Sequence, residues 1–434
     1  MNFMNKKIAF ISEHASPLAA LGGVDSGGQN VYVAELAKFL ARTGFHIDVF
    51  TRWDDANLPK VVNWLPGVRV VHVKAGPVCF VPKEELLPYM PELRDSMLSF
   101  IAKEQIQYDL VHANFFMSAK VAAELKEALD IPFVVTFHAL GHVRRVHQKE
   151  QDKFPAERLL IEEDTISKAD KIIAECPQDR EDLIEYYNAS AGKITVIPCG
   201  FSPEEFHPMD KQEARALLNL NDNEHILLQL GRMVPRKGVD NVIKCLEFLK
   251  EAEKPLRLVI VGGETDIPDP ATCPEIARLQ NIAVEKGVSA SVTFLGRKNR
   301  DSLKYYYAAA DIFITTPWYE PFGITPLEAM ACGTPVIGSN VGGIKYSIID
   351  GETGFLVPPN NPEALAGKVS QLISDQALLS KMSRESLKRV NSMFTWQNVA
   401  KMTGNLYERV LMSTYRSSLE LRPQIKINKK SQAA

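Results

Sequence analysis

Short apolar runs separated by amphipathic stretches recur along nearly the whole chain, and the cycle is completed twice. That alternation is the pattern of parallel strands joined by crossover helices. In the first half the runs fall at 7–12, 46–52, 68–73, 109–114, 132–138, 171–176 and 194–198, with helical patterns between them, for instance at 29–41 and 157–168. In the second half they fall at 226–231, 256–262, 292–296, 312–316, 335–338 and 355–357. Each half reads as a doubly wound, Rossmann-like α/β sheet. A chain of 434 residues exceeds what one hydrophobic core supports, so two domains are expected. The break is placed near 199–209, where Gly200, Pro203 and Pro208 interrupt the periodicity before a helix at 211–218. The first domain is therefore expected over 1–200 and the second over 201–393. Two such sheets facing one another across a cleft would bring together the carboxyl ends of their strands, where open α/β sheets bind ligands.

Composition narrows the partners. A formal net charge of -3 gives no overall field to attract nucleic acid, so specificity rests on local sites. The six cysteines include no Cys-x-x-Cys pair, which argues against a zinc site and a disulfide framework and fits a reducing cytoplasm. Lys6 and Lys7 lead into an apolar run too short for a signal-peptide core or a membrane span. The stretch 421–434 carries Arg422, Lys426, Lys429 and Lys430 with no acid. It reads as a solvated tail, with weak contact to an anionic membrane or partner as the alternative.

The most informative local segment runs from Trp318 to Gly333. Glu320 follows the apolar run 311–317, while Thr325, Pro326 and Glu328 match the N-cap, N1 and N3 positions of a helix. Between the acids, the amides of Phe322, Gly323, Ile324 and Thr325 are free to donate to an anion or a hydroxyl-rich ring. The plainer alternative is a capping box of Thr325 with Glu328. Against it stands the second acid, Glu320, among Trp318, Tyr319 and Phe322; sugar sites combine carboxylates with aromatic faces.

Two cations stand at another strand end. The run 226–231 leads into Arg232 and, five residues later, Lys237 before Gly238. A diphosphate there would meet a planar fork and a point charge. As a leaving group it gains charge in the transition state, which fixed cations stabilise; surface basics in a loop are the alternative. In the first half Gly22, Gly23, Gly27 and Gly28 precede a helix, but their spacing is not Gly-x-Gly-x-x-Gly, and the second strand ends on Arg52 rather than an acid. A nicotinamide site is disfavoured. The glycine loop suits close approach to a phosphate or a ring, with Asp25 and Asn30 as hydroxyl partners; Ser26 with Gln29 would otherwise be a structural capping box. His138 ends the run 132–138, where it could bond a sugar hydroxyl or manage a proton. His142, Arg144, Arg145 and His147 follow it without metal-site spacing.

Together, Gly-Gly-Val-Asp-Ser-Gly-Gly-Gln-Asn, Phe-His-Ala-Leu, Gly-Arg-x4-Lys-Gly and Glu-x7-Glu resemble the retaining GT-B glycosyltransferases of family 4, over about 7 to 410. Within that family the chain is similar to the catalytic domains of sucrose synthase and sucrose-phosphate synthase and to the glycosyltransferase of mycothiol synthesis. The resemblance implies a GT-B fold, a nucleotide sugar as co-substrate, UDP-glucose foremost, and no metal or other cofactor. It implies Arg232 and Lys237 on the diphosphate, Glu328 on the ribose, and Glu320 with the 322–325 amides on the sugar. Arg297 resembles the base-contacting position, Gly23 would approach the phosphates and His138 would bond the donor sugar. Helices over about 394–412 would cross back to the first domain. In the mycothiol branch a tyrosine and a threonine help to hold the acceptor phosphate, and these align with Phe115 and Ala139. Lys83 is retained. The acceptor is thus left open between a neutral sugar and another phosphorylated hydroxyl compound, with Asp25, Asn30, Lys83 and Arg144 on its side of the cleft. A GT-B phosphorylase or epimerase, and a non-catalytic nucleotide-sugar-binding protein, are the rival readings; the oligomeric state is open.

Overall fold

Each parallel strand is a buried apolar run whose neighbours hide both faces, so the chain lays its strands side by side and packs helices above and below. The computed structural model describes residues 5–19, 27–249 and 254–420, the last five as backbone only. Gly22, Gly23, Asp25, Ser26 and the 421–434 tail lie outside the described residues.

The first sheet contains β1 (Lys7–Ile11), β2 (His46–Arg52), β3 (Val61–Leu65), β4 (Val68–Val73), β5 (Leu110–Asn114), β6 (Phe133–Thr136), β7 (Lys171–Ala174) and β8 (Ile194–Val196). They are ordered β3-β4-β2-β1-β5-β6-β7-β8. The second contains β9 (His225–Leu230), β10 (Leu256–Val261), β11 (Val292–Phe294), β12 (Ile312–Thr315), β13 (Val336–Ser339) and β14 (Gly354–Val357), ordered β11-β10-β9-β12-β13-β14. All pairings are parallel except β3 with β4. Strand order reverses at β1 in the first sheet and at β9 in the second. The crevices that open at such reversals lie at the carboxyl ends of those two strands. This is a GT-B architecture, two Rossmann-like lobes with a cleft between them.

One strand escaped the sequence pattern. β3 is a half-exposed edge strand joined to β4 across Pro66 and Gly67. Its residues lack the buried run that marks the central strands.

The lobes are joined twice at one place. Phe201 donates its amide to the Phe394 carbonyl at 2.8 Å, and Trp396 donates back to the Phe201 carbonyl at 3.0 Å. From there the helix Trp396–Glu420 runs back over the helix Gly28–Arg42 of the first lobe. Trp396 and Tyr407 are fully buried, and Tyr407 Oη lies 2.6 Å from His112 Nδ1 of β5.

Candidate active site

The cleft holds one principal cavity of about 340 Å³ lined from both lobes. From the first lobe the structure brings Asn30, Lys83, His138 and Arg144 to its wall. From the second it brings Arg232, Lys237, Arg297, Glu320 and Glu328, with the run 322–325 between the two glutamates.

Lys237 reaches the cavity because the turn Pro235–Lys237 ends on Gly238, whose φ of +64° suits glycine and whose added Cβ would stand 2.0 Å from the Thr316 carbonyl. The cation turn is thereby laid directly on the end of β12. Glu320 sits on the loop after β12, and its carboxylate accepts from Lys237 Nζ and, at 3.3 Å, from Arg236 Nη1. Arg236 also donates to the Tyr319 carbonyl at 3.2 Å. Burial alone would raise the Glu320 carboxyl, but Lys237 and Arg236 overcome it and hold it down to about 2. Burial pulls Lys237 down to about 8, with Glu320 offsetting only part of the effect.

The helix that follows starts two residues earlier than its sequence signals suggest. It spans Ile324–Ala331 with Gly323 as N-cap and no side-chain cap, so Thr325 is not the N-cap and no capping box with Glu328 forms. Glu328 instead lies in the helix body, 2 % exposed, and accepts from Arg300 Nη1 at 3.0 Å and Tyr307 Oη at 2.9 Å. The Ile324 and Thr325 amides, at the start of the helix, have no carbonyl four residues back within it. They open into the cleft beside Arg232.

Across the gap, the helix Gly28–Arg42 presents its own start. A Cβ on Gly27 would stand 3.8 Å from Arg232 Nε, and one on Gly28 would stand 3.9 Å from Ile324 Cδ1. Two helix N-termini and a guanidinium thus converge, which is a setting for a polyanion. The side-chain amide of Gln29 donates to Ser12 Oγ and the Asn114 carbonyl, each at 3.3 Å, while Ser26, its partner in the alternative capping box, lies outside the described residues. It is Asn30 that closes the loop, accepting from the Gly27 amide at 2.9 Å and donating to the Ser16 carbonyl at 3.0 Å.

His138 adopts a left-handed backbone at φ +59°, a conformation associated with functional positions. Its Nδ1 lies 3.0 Å from Glu175 Oε1 and its Nε2 lies 3.1 Å from Asn114 Oδ1. Lys83 opens a short turn after Pro82. The preceding loop is pinned by Arg52, which donates to the Pro77 carbonyl at 2.6 Å and also to the Cys79 carbonyl. Arg144 is paired with Asp152 at 3.0 Å, and Arg297, more exposed, with Asp266 at 3.1 Å. His142 stacks on Tyr186 and His147 on Tyr319.

Three residues that sequence reasoning passed over belong to the same site. Arg300 bridges Glu328 and, at 2.7 Å, Glu205 of the segment joining the lobes. Glu175 holds His138. His14, with Glu13 behind it, stands just past the end of β1 and lines the cavity. The available signal for His14 was its place after the strand at which sheet order reverses, which no periodicity reveals.

Residues 26–205 match the model of Glycosyltransferase Family 4, and residues 210–389 match that of Glycosyl transferases group 1. The D-inositol 3-phosphate glycosyltransferase 2 of Catenulispora acidiphila is 32% identical over 94% of this chain and 96% of its own length. The D-inositol 3-phosphate glycosyltransferase of Acidothermus cellulolyticus is 34% identical over 94% of this chain and 91% of its own. Among solved structures, the sucrose-phosphate synthase of Thermosynechococcus elongatus superposes with a TM-score of 0.85 at 34% identity, covering 94% of this chain and 100% of that one. Paired sheets, a charged interlobe cavity and full-length likeness agree: this chain belongs to the family 4 glycosyltransferases of the GT-B fold.

Proposed function

We propose that the protein is a retaining, metal-independent hexosyltransferase that moves glucose from UDP-glucose to a hydroxyl of a sugar or sugar phosphate. The observation that carries this reading is the convergence of Arg232, Lys237 and two helix N-termini from facing sides of the cavity, with Glu320 and Glu328 beside them. In this reading the diphosphate lies against Arg232 and Lys237, the ribose against Glu328 and the base toward Arg297. The glucosyl ring then lies between Glu320, the 322–325 amides and His138, and the phosphates reach toward Gly23 of the glycine loop. The acceptor enters from the side of Asp25, Asn30, Lys83 and Arg144.

The Lys237–Glu320 pair gives way in part when the diphosphate arrives, since the phosphate oxygens offer Lys237 a stronger partner. As the bond from the anomeric carbon to the phosphate oxygen breaks, the leaving diphosphate gains charge that Arg232 and Lys237 meet with no reorganisation. The acceptor oxygen bonds to the anomeric carbon on the same face, and its proton passes to a diphosphate oxygen. No protein nucleophile is required, and configuration is retained.

The test is UDP-glucose turnover with a panel of sugar and sugar-phosphate acceptors, product configuration being read by NMR. An α-linked glucoside formed in the presence of a chelator is the expected product. A β-linked product, or phosphate-dependent release of glucose 1-phosphate, would overturn the reading.

A further inference from the structure

Two histidines line the cavity, and each has Nδ1 against a buried glutamate. His138 faces Glu175 at 3.0 Å, and His14 faces Glu13 at 2.8 Å. They differ at the other nitrogen. His138 Nε2 is met by Asn114 Oδ1 at 3.1 Å, whereas the described residues offer His14 Nε2 no hydrogen-bond partner.

His14 is built into place. Glu13 is fully buried, and its second carboxylate oxygen accepts from Ser118 Oγ. The His14 ring stands edge-on to Phe115, with ring centres 5.1 Å apart. Phe115 itself holds a left-handed backbone at φ +86°, costly for an aromatic residue and sustained only by its surroundings. Arg158 lies 4.9 Å from the Phe115 ring and donates to the Ala139 carbonyl. A carboxylate facing Nδ1 accepts a hydrogen bond from the proton on that nitrogen, and the tautomer it selects leaves Nε2 as the acceptor. Held by Ser118 on one oxygen, Glu13 fixes the His14 ring from behind with the other.

The place of this pair decides what it would meet. His14 follows β1, the reversal strand of the first lobe, while Arg232 follows β9, the reversal strand of the second. On the glycosyl-transfer reading the donor's phosphates lie between Arg232 and the start of the helix Gly28–Arg42, which leaves the corner lined by His14, Phe115 and Lys83 to the acceptor. We infer that His14 binds the acceptor, its Nε2 accepting a hydrogen bond from an acceptor hydroxyl, with Glu13 as the positioning residue that fixes the ring. The acceptor accordingly carries, besides the hydroxyl that reacts, a second one within reach of that nitrogen. This rests on the glycosyl-transfer reading above.

The experiment uses the full chain saturated with UDP-glucose and six acceptors: glucose, fructose, inositol, glucose 6-phosphate, fructose 6-phosphate and D-inositol 3-phosphate. His14→Ala is expected to raise KM for the acceptor that works by about tenfold or more, the loss of a bond to a desolvated polar group. UDP affinity should stay within about twofold, because the nucleotide does not occupy the acceptor site. His14→Gln, whose amide oxygen restores an acceptor atom, should recover part of the loss. Glu13→Gln should raise the same KM by less than His14→Ala and leave UDP affinity intact. An acceptor KM unmoved by His14→Ala, or a fall in UDP affinity in step with it, would overturn the inference. So would a wild-type enzyme that binds UDP yet uses none of the six. A wild-type enzyme that binds no sugar nucleotide would instead overturn the glycosyl-transfer reading itself.

Discussion

Lys237 is a largely buried ammonium paired with the Glu320 carboxylate, which on the proposed reading the diphosphate displaces in part. Removing a donor aimed at developing negative charge costs about 10²–10³ in kcat. Lys237→Ala should therefore lose turnover on that scale while its melting temperature stays near that of the parent. Its depressed pKa of about 8 gives a second signature. The side chain is cationic below that pH and neutral above it, so the free enzyme loses a phosphate partner as the solution turns alkaline. UDP affinity, followed by titration calorimetry, should fall between pH 7 and 9, and an affinity flat across that window would exclude the assigned role. At this scale the sequence was legible wherever a residue ended a strong apolar run, as with Arg232 and His138. It was not legible where partners come from distant segments. Nothing near Glu328 announces that Arg300 and Tyr307 will hold it, and nothing near His14 announces Ser118.

Among elements, the buried strands were readable because a parallel sheet covered on both faces demands uninterrupted apolar runs. β3 was missed because an edge strand half in water makes no such demand. The start of the helix Ile324–Ala331 was misplaced for a related reason: Thr, Pro and Glu matched local capping rules, but Gly323 turns the chain two residues earlier. The loop of Glu320 also depends on a glycine whose reason is tertiary. Gly342 has φ +45°, and a Cβ there would stand 1.9 Å from the Glu320 carbonyl. Gly342→Ala should displace that loop, raise KM for UDP-glucose and cost about 1–3 kcal/mol in denaturant unfolding. Gly367 is the control, lying in the helix Pro362–Ser374 with nothing within 4 Å of an added Cβ. Gly367→Ala should stabilise by about 0.5–1 kcal/mol and leave kinetics unchanged.

For the whole molecule, the paired crossings at Phe201 and Trp396 are where the two lobes share one buried seam. Trp396 is fully buried against Tyr32, with ring centres 5.8 Å apart. Trp396→Ala should cost about 3–5 kcal/mol, seen as a lower midpoint in urea. If the lobes lean on this seam, the first one, whose helix Gly28–Arg42 it covers, should unfold earliest under limited proteolysis. The GT-B plan was legible because both sheets announce themselves in order; the seam was not, since it joins residues nearly two hundred positions apart.

That seam also sets an order of events during synthesis. The first lobe leaves the ribosome before the second, yet the helix that covers Phe45 and Tyr32 is made only after the second. Its apolar flank therefore waits, uncovered, while the entire second lobe is translated. A cell making this chain has to keep that flank from other apolar surfaces until the covering helix arrives.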